Sequence, residues 1–129
     1  MTTFIHTALV CRSEDNADRF YNKLLGLEKA APKTLPADLS QAIFGVKTDL
    51  TIINYTGDGI HFEVFIVDSP TDSKPKIEHT CIEVESRGKF LEDCDKLGIA
   101  ANQVTKGDKI LLFVQDLDNN LYEIKTRSK

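Results

Sequence analysis

The sequence lacks the features of several protein classes. No uninterrupted apolar run approaches the ~20 residues needed to span a bilayer, since the longest are Val64 to Val67 and Ile110 to Val114. Lysine and arginine are spread along the chain and the net charge is −4, so there is no basic patch of the kind that binds nucleic acid. The N-terminus has neither a basic region nor a cleavage-site pattern, and we expect no signal peptide. Neither a nucleic acid nor a membrane is therefore an expected partner.

Cysteine is also scarce. Cys11, Cys81 and Cys94 are odd in number and show no CxxC spacing, which suits a reducing compartment better than a disulfide framework. Each lies in an apolar pattern, where cysteine more often acts as a small hydrophobe than as a nucleophile or ligand. We therefore expect a cytoplasmic protein with structural thiols. A chain of 129 residues with 41% hydrophobic content predicts a single globular domain over 1–129.

The sequence does contain a duplicated pattern. His6 in IHTALV and His79 in EHTCIEV each open a short apolar strand, and each is followed by a glutamate in a later strand, Glu63 or Glu123. The histidines are 79 − 6 = 73 positions apart and the glutamates 123 − 63 = 60, so the second copy is a shortened version of the first. Imidazole and carboxylate in matched places form a ligand set that divalent transition metals favour.

Both copies predict the same order of elements. A strand from Phe4 to Cys11 precedes a helix between Ser13 and Gly26, and a strand from Ile77 to Glu85 precedes a helix between Ser86 and Gly98, because apolar residues recur at helical spacing between a cap and a glycine. Strand-like stretches follow each helix: 27–30, 42–46, 50–55 and 60–67 in the first copy, and 102–105, 109–115 and 121–126 in the second. Thr56 to Gly59 and Asp116 to Asn120 are the predicted turns. The fold class is therefore α+β, with a βαβββ unit present twice.

Two proline-containing stretches divide the chain further. Residues 69–76, with Pro70 and Pro75, predict a linker between module one, 1–68, and module two, 77–129. The stretch from Pro32 to Pro36 is predicted to be irregular. It lies within an insert of about 31–48 that makes the first copy longer, and this insert is a candidate substrate-facing loop.

Strand Ile60 to Val67 bears on the site because its two faces differ. One face is wholly apolar, whereas Glu63 lies on the other with Phe65 and Val67. Those apolar neighbours favour a half-buried cleft, where a carboxylate needs a cation or hydrogen bonds.

Each candidate also has a structural interpretation. Considered alone, His6 is better explained as a structural polar residue at the start of a strand than as a metal ligand. Glu63 and Glu123 could likewise be solvent-facing strand residues. The repetition is what favours a metal site. His61 is in phase with Glu63, but Leu121 stands at the corresponding place in the second copy, so we predict a supporting or structural role for it.

These motifs resemble the vicinal oxygen chelate superfamily, which includes glyoxalase I, methylmalonyl-CoA epimerase, extradiol dioxygenases and bleomycin- and fosfomycin-resistance proteins. The segments that carry the resemblance are IHTALV, ADRFYNKLLGLE, HFEVFIV, EHTCIEV and FVQDLDNNLYEIK. The resemblance implies two tandem βαβββ modules forming a curved, cup-shaped mixed β-sheet with helices on the outside. It also implies one divalent metal ion (Ni, Zn, Co, Fe or Mn) bound by His6, Glu63, His79 and Glu123.

Glutamate at both 63 and 123 is like the glyoxalase I pattern, whereas epimerases of the superfamily tend to carry glutamine at the first position. The resemblance thus implies a lyase or isomerase similar to lactoylglutathione lyase, which isomerises a hemithioacetal or similar vicinal-oxygen substrate through an enediolate. Glu123 would be the general base and Glu63 a ligand that relays the proton. Two positions depart from the family: Leu9 stands where bacterial glyoxalase I typically has an arginine that helps bind glutathione, and Asn119 replaces the usual glycine of the final turn. The thiol cosubstrate is therefore left open.

Other members of the superfamily supply the alternatives. An extradiol dioxygenase-like enzyme would use His6, His79 and Glu123 as a facial triad, and a methylmalonyl-CoA epimerase-like enzyme would use the same cup. A resistance protein would bind an antibiotic there without chemistry, although the presence of all four ligand residues counts against it. Members of the superfamily commonly form dimers, so we expect a homodimer, in which the site is completed either within one chain or between two.

Overall fold

The computed structural model describes residues 1–68 and 77–127. The chain forms two compact units that divide between residues 70 and 71. The predicted linker, 69–76, lies outside the described residues. Each unit has its own mixed sheet, with two helical regions in the first unit and one helix in the described part of the second, which confirms the predicted α+β class.

The first unit is a βαβββ module with an insert. Its elements are β1 (Thr7–Cys11), α1 (Glu14–Ala17) continued by a π-helical segment (Asp18–Leu24), β2 (Glu28–Lys29), β3 (Lys33–Leu35), α2 (Ala37–Phe44), β4 (Leu50–Gly57) and β5 (Ile60–Ile66). The strand order is β1-β5-β4-β2, and β3 also pairs with β4. Strand β1 runs parallel to β5, and the other pairs are antiparallel.

The first helical segment begins and ends where the sequence predicts. Ser13 Oγ accepts a hydrogen bond from the Asn16 backbone N–H at 3.1 Å, and Gly26 has the left-handed φ of +72° that stops a helix. The segment buries an apolar stripe, and the Tyr21 ring packs against Phe62 of β5 with centroids 5.3 Å apart. The all-apolar face of β5 is thereby covered by a helix, as its alternation indicates.

The insert differs from its prediction. The segment predicted as a strand, 42–46, lies largely in α2, which ends at Gly45 with φ +74°. The stretch from Pro32 to Pro36 was predicted irregular, but it contains β3. A short apolar run fits a strand and a helix equally well. The N-terminus of α2 is capped by a residue outside this apolar run, because the Ala37 backbone N–H donates to Asp49 Oδ1 at 2.8 Å.

The second unit is a βαβββ module without an insert. Its elements are β6 (His79–Val84), α3 (Arg87–Leu97), β7 (Ala101–Lys106), β8 (Lys109–Gln115) and β9 (Leu121–Thr126). The strand order β6-β9-β8-β7 repeats that of the first unit, with the first strand again parallel to the last.

The ends of α3 and the last turn follow local signals. Ser86 Oγ accepts from the Lys89 backbone N–H at 3.2 Å, and Gly98 has a φ of +71°. Asn119 takes the left-handed conformation with φ +68°. Among the described residues, none of the helices is long and apolar enough to cross a membrane.

Each sheet has a core face and a second face. Alternate residues of the strands are buried on the helix side: Ile53, Tyr55, Phe62 and Val64 in the first unit, and Leu112, Val114, Tyr122 and Ile124 in the second. Glu63 and Glu123 alternate with these buried residues and lie on the second face of their sheets.

Candidate metal centre

The first unit places His6 beside Glu63. His6 directly precedes β1, and Glu63 lies in the middle of the neighbouring parallel strand β5, where it pairs with Ala8. His6 Nε2 is 3.5 Å from Glu63 Oε1, and the two side chains are 36% and 26% exposed. The predicted pair therefore exists, on the sheet face away from the helix.

The second unit repeats this arrangement. His79 Nε2 is 3.8 Å from Glu123 Oε1, with side chains 36% and 19% exposed. Glu123 pairs with Cys81, two residues after His79, just as Glu63 pairs with Ala8, two residues after His6. The duplication thus extends from the sequence to the register of the strands.

The tautomer of His79 is fixed by its surroundings. Its Nδ1–H donates to the Ile77 carbonyl oxygen at 2.8 Å, and a carbonyl can only accept. In the neutral ring, Nε2 then carries a lone pair that faces the carboxylate oxygen of Glu123. Two such electron-rich atoms can share a cation, which is either a proton or a metal ion, or can both accept hydrogen bonds from one bridging water molecule. A backbone carbonyl on the other ring nitrogen is the usual support of a metal-binding histidine.

The spacing of the two pairs is slightly wider than that of two ligands on one metal ion. Ligand atoms that share an ion at about 2.1 Å lie roughly 3.0–3.4 Å from each other at octahedral or tetrahedral angles. The observed 3.5 Å and 3.8 Å exceed this range by a few tenths of an ångström. Within 1–68 and 77–127, no group of three or more His, Cys, Asp or Glu side chains is close enough to hold a metal ion. Each unit therefore supplies two candidate ligands.

The surroundings of the two pairs differ. In the first unit His61 lies against His6, with ring centroids 5.2 Å apart, and its Nε2–H donates to Asn54 Oδ1 at 2.6 Å. Asn54 stands opposite Glu63 in the β4–β5 ladder. His61 is thus a neighbour of His6, and the supporting role predicted for it stays a prediction. Asn54 was not among the predicted site residues. Its position opposite Glu63 could have been found by counting residues back from the predicted hairpin turn.

The second unit has an apolar neighbour instead. Phe113 stands opposite Glu123, and its ring meets that of His79 edge-on with centroids 5.6 Å apart. Leu121 pairs with His79 across β6 and β9. Within 77–127, the second unit therefore has apolar residues where the first has the polar pair of His61 and Asn54.

Cys81 is a further neighbour that the sequence did not single out. Cys11 and Cys94 are buried as predicted, whereas Cys81 is exposed. Partial burial, together with the nearby charge of Glu123, raises the pKa of the Cys81 thiol. Its alternation with His79 along β6 puts both residues on one face, a signal that was present in the sequence.

Comparison with known proteins gives matches at the level of structure. No protein-family model and no curated protein matches the sequence. A glyoxalase family protein from Enterococcus faecalis is similar with a TM-score of 0.73 at 19% identity, covering 95% of each chain. A glyoxalase family protein from Bacillus cereus gives 0.73 at 17% identity, covering 98% of this chain and 94% of that one.

Fosfomycin resistance proteins are also similar. A mutant of FosX from Listeria monocytogenes, complexed with Mn(II) and 1S,2S-dihydroxypropylphosphonic acid, gives a TM-score of 0.72 at 12% identity. The match covers 97% of this chain and 90% of that one. These neighbours are all vicinal oxygen chelate proteins. The chain has the fold of the vicinal oxygen chelate superfamily, as its sequence motifs predict.

Proposed function

We propose that this chain is a metal-dependent, glyoxalase I-like enzyme that isomerises a hemithioacetal or a similar substrate with two adjacent oxygen atoms. One observation carries the proposal: both units set a histidine Nε2 against a glutamate Oε1, at 3.5 Å and 3.8 Å, in the same strand register. The Mn(II) found with the FosX neighbour supports a divalent metal in this fold.

The ligands would be His6, Glu63, His79 and Glu123. Two carboxylates balance the charge of one divalent ion, and two imidazoles suit nickel, zinc, cobalt, iron or manganese. A bound ion would supply Lewis-acid chemistry, by stabilising negative charge that develops on the substrate oxygens. The site is completed within one chain or across a homodimer, and both arrangements give one ion per chain.

The proton transfers are assigned to the two carboxylates. Glu123 takes a proton from the carbon next to a carbonyl, and a proton is returned to the adjacent carbon. Glu63 serves as its partner in relaying the proton. A hemithioacetal and the resulting thioester are isomers, so this sequence needs no oxidant or other reactant.

The test combines metal analysis with an ultraviolet assay of methylglyoxal and a thiol, with glutathione first and other thiols beside it. Glu123→Gln should lower kcat by a factor of about 10² to 10⁴, the usual contribution of a general base. Glu83→Gln is a matched control, because this carboxylate lies on β6, the strand that pairs with β9, but forms an ion pair with exposed Arg127 at 3.3 Å. The control should retain its activity.

Three results would contradict the proposal in different ways. Equal activity of the wild type and Glu123→Gln would remove Glu123 from the role of base. Absence of a stoichiometric divalent ion, even after reconstitution, would favour a protein that only binds a small molecule. Absence of turnover with every thiol tested would instead favour an epimerase-like, dioxygenase-like or fosfomycin-resistance-like reaction.

A further inference from the structure

The edge strand β7 of the second unit has the features of a strand to which another strand can be added. It pairs with β8 on one side, and within 1–68 and 77–127 no strand pairs with its other side. All six of its residues, Ala101–Lys106, are exposed. The strand is therefore open to solvent on both faces and along one edge.

The turn after β7 determines which backbone groups point outward. Gly107 and Asp108 connect β7 to β8, and Gly107 has a φ of +64°, as the first position of a type II′ hairpin turn requires. Lys106 and Lys109, which flank this turn, therefore exchange backbone hydrogen bonds. The bonding direction alternates along a strand. The residues whose N–H and C=O groups point away from β8 are Ala101, Gln103 and Thr105.

The corresponding edge of the first unit is protected against pairing, whereas β7 is not. Sheet edges are commonly protected by short strands, charged side chains and proline. In the first unit this edge is divided between β2, of two residues, and β3, of three residues, with Pro32 between them. Its charged residues are Glu28, Lys29 and Lys33. Strand β7 is continuous over six residues, contains no proline, and has its single charge on Lys106, beside the turn.

The sequence of β7 is complementary to a second copy of itself. Two antiparallel copies related by a two-fold axis at Gln103 pair this residue with its equivalent, and pair Ala101 of each copy with Thr105 of the other. This register uses every outward-pointing residue of the strand, at two hydrogen bonds per pair and about six in all. Lys106 then lies opposite Ala100 of the second copy, so no like charges face each other.

The side chains also suit such a pair. Val104 is 44% exposed, and in this register Asn102 of the second copy lies opposite it and covers part of its surface. Gln103 lies on the other face of the sheet, because Leu112, with which it pairs, belongs to the core. Six residues per chain are fewer than the about 20–30 of a standard interface. We therefore expect a weak association that depends on protein concentration.

We propose that β7 is an interaction surface for a second copy of this chain, which adds its own β7 in antiparallel orientation. Two four-stranded sheets then form one sheet of 4 + 4 = 8 strands. Strand β6, which carries His79, is at the opposite edge of the sheet from β7. This contact is therefore separate from the candidate metal centre, and the inference does not depend on the proposed function.

Sedimentation velocity of the full chain over a concentration series tests the pairing. Gln103→Pro removes the central outward N–H of each copy but leaves the hydrogen bonds between β7 and β8, and proline is tolerated at such edge positions. Losing two hydrogen bonds should weaken association roughly 30-fold. Gln103→Thr keeps the N–H and suits a strand, so this matched control should associate as the wild type does. The smaller species is either a monomer or the predicted homodimer, and the measured quantity is the loss of one association step.

Charge substitutions test the register without removing any backbone group. Gln103→Lys places two like charges opposite each other across the axis, and Gln103→Glu does the same with the other sign, so each variant alone should associate more weakly than the wild type. A mixture of the two variants should recover the association, because opposite charges then face each other. Amide hydrogen exchange followed by NMR should show protection that rises with concentration at Gln103 and Thr105. Protection of Val104, whose N–H points towards β8, should not change.

Three results would overturn the inference. A wild type without a concentration-dependent association step would leave β7 to an extended segment of another protein. Association of Gln103→Pro and Gln103→Lys as tight as that of the wild type would place the contact on another surface. Protection of Gln103 and Thr105 that does not vary with concentration would exclude β7 from the contact, even if the chain associates.

Discussion

The hydrogen bond between Tyr55 and Asp18 fastens the π-helical segment to the sheet of the first unit, and its loss should lower stability measurably. Tyr55 is 0% exposed, and its hydroxyl donates to Asp18 Oδ1 at 2.7 Å. Tyr55→Phe removes this hydroxyl but keeps the ring in contact with Tyr21, whose centroid is 5.6 Å away. The substitution therefore isolates one hydrogen bond without creating a cavity.

The size of the loss follows from the partners that Asp18 retains. A hydrogen bond to a charged group contributes about 1.5–3 kcal/mol. Asp18 also accepts from Lys29 Nζ at 2.9 Å and stays 27% exposed to water. We therefore expect the lower end, a decrease of about 1.5 kcal/mol in the free energy of unfolding.

Urea unfolding followed by circular dichroism measures this decrease. Burial, and then the bond to Asp18, raises the pKa of Tyr55, so its contribution is complete below an ordinary tyrosine pKa of about 10 and is lost as the pH rises further. The difference between wild type and Tyr55→Phe should thus be constant near neutral pH and shrink in strong alkali. Asp15→Asn is the control, since its 3.5 Å pair with Arg19 is exposed and contributes at most about 0.5 kcal/mol. Equal losses for the two variants would refute the reasoning.

Three further results are expected. Because partial burial and the charge of Glu123 raise the pKa of Cys81, its alkylation should titrate above the pH of free cysteine and move to lower pH in Glu123→Gln; an unchanged midpoint would exclude the coupling. Ser86→Ala should lower the free energy of unfolding by about 1 kcal/mol in urea, through loss of the cap of α3, and no change would mean that water replaces the hydroxyl. Removal of metal by a chelator should lower the thermal midpoint, since an ion at 100 times its Kd adds about 2.7 kcal/mol; an unaltered midpoint would contradict a site that is formed only in the folded protein.

Local signals in the sequence were enough to predict most elements. Ser13 and Ser86 cap their helices, and Gly26 and Gly98 end them, because these residues satisfy backbone groups within one turn. The β4–β5 hairpin was equally predictable, since Asp58 and the following glycine take the positive φ values, 40° and 82°, that a tight turn requires.

The insert could not be predicted in this way. Its helix depends on Asp49, twelve residues beyond Ala37, and β3 depends on pairing with β4. Both are contacts with residues outside the segment, so neither propensity nor periodicity within the segment reports them. The stretch 42–46, which the sequence predicted as a strand, also contributes Phe44 and Val46 to the lining of an apolar cavity in the first unit.

The candidate site was also predictable only in part. The pairing of His6 with Glu63 and of His79 with Glu123 was predictable from repetition, and the strand register explains it. The hydrogen bond from the His79 ring to the Ile77 carbonyl was not predictable, because every residue has a backbone carbonyl and the type of residue at 77 does not indicate this acceptor. It is nevertheless the contact that turns the Nε2 lone pair towards Glu123.

The differences between the two copies indicate how the proposed function is shared between them. Both copies keep the histidine, the glutamate and their register, which is what chelation requires of each half. Among the residues that the structure describes, only the first copy adds the polar neighbour His61 and the contact of Phe44 with Phe65, whereas the second offers Phe113 beside its histidine. A duplicated metal site is symmetric in its ligands, but a substrate with one chelating end and one tail is not. On the proposed function, the first copy therefore holds the residues that distinguish one substrate from another, and substitutions there should change substrate preference before they change metal content.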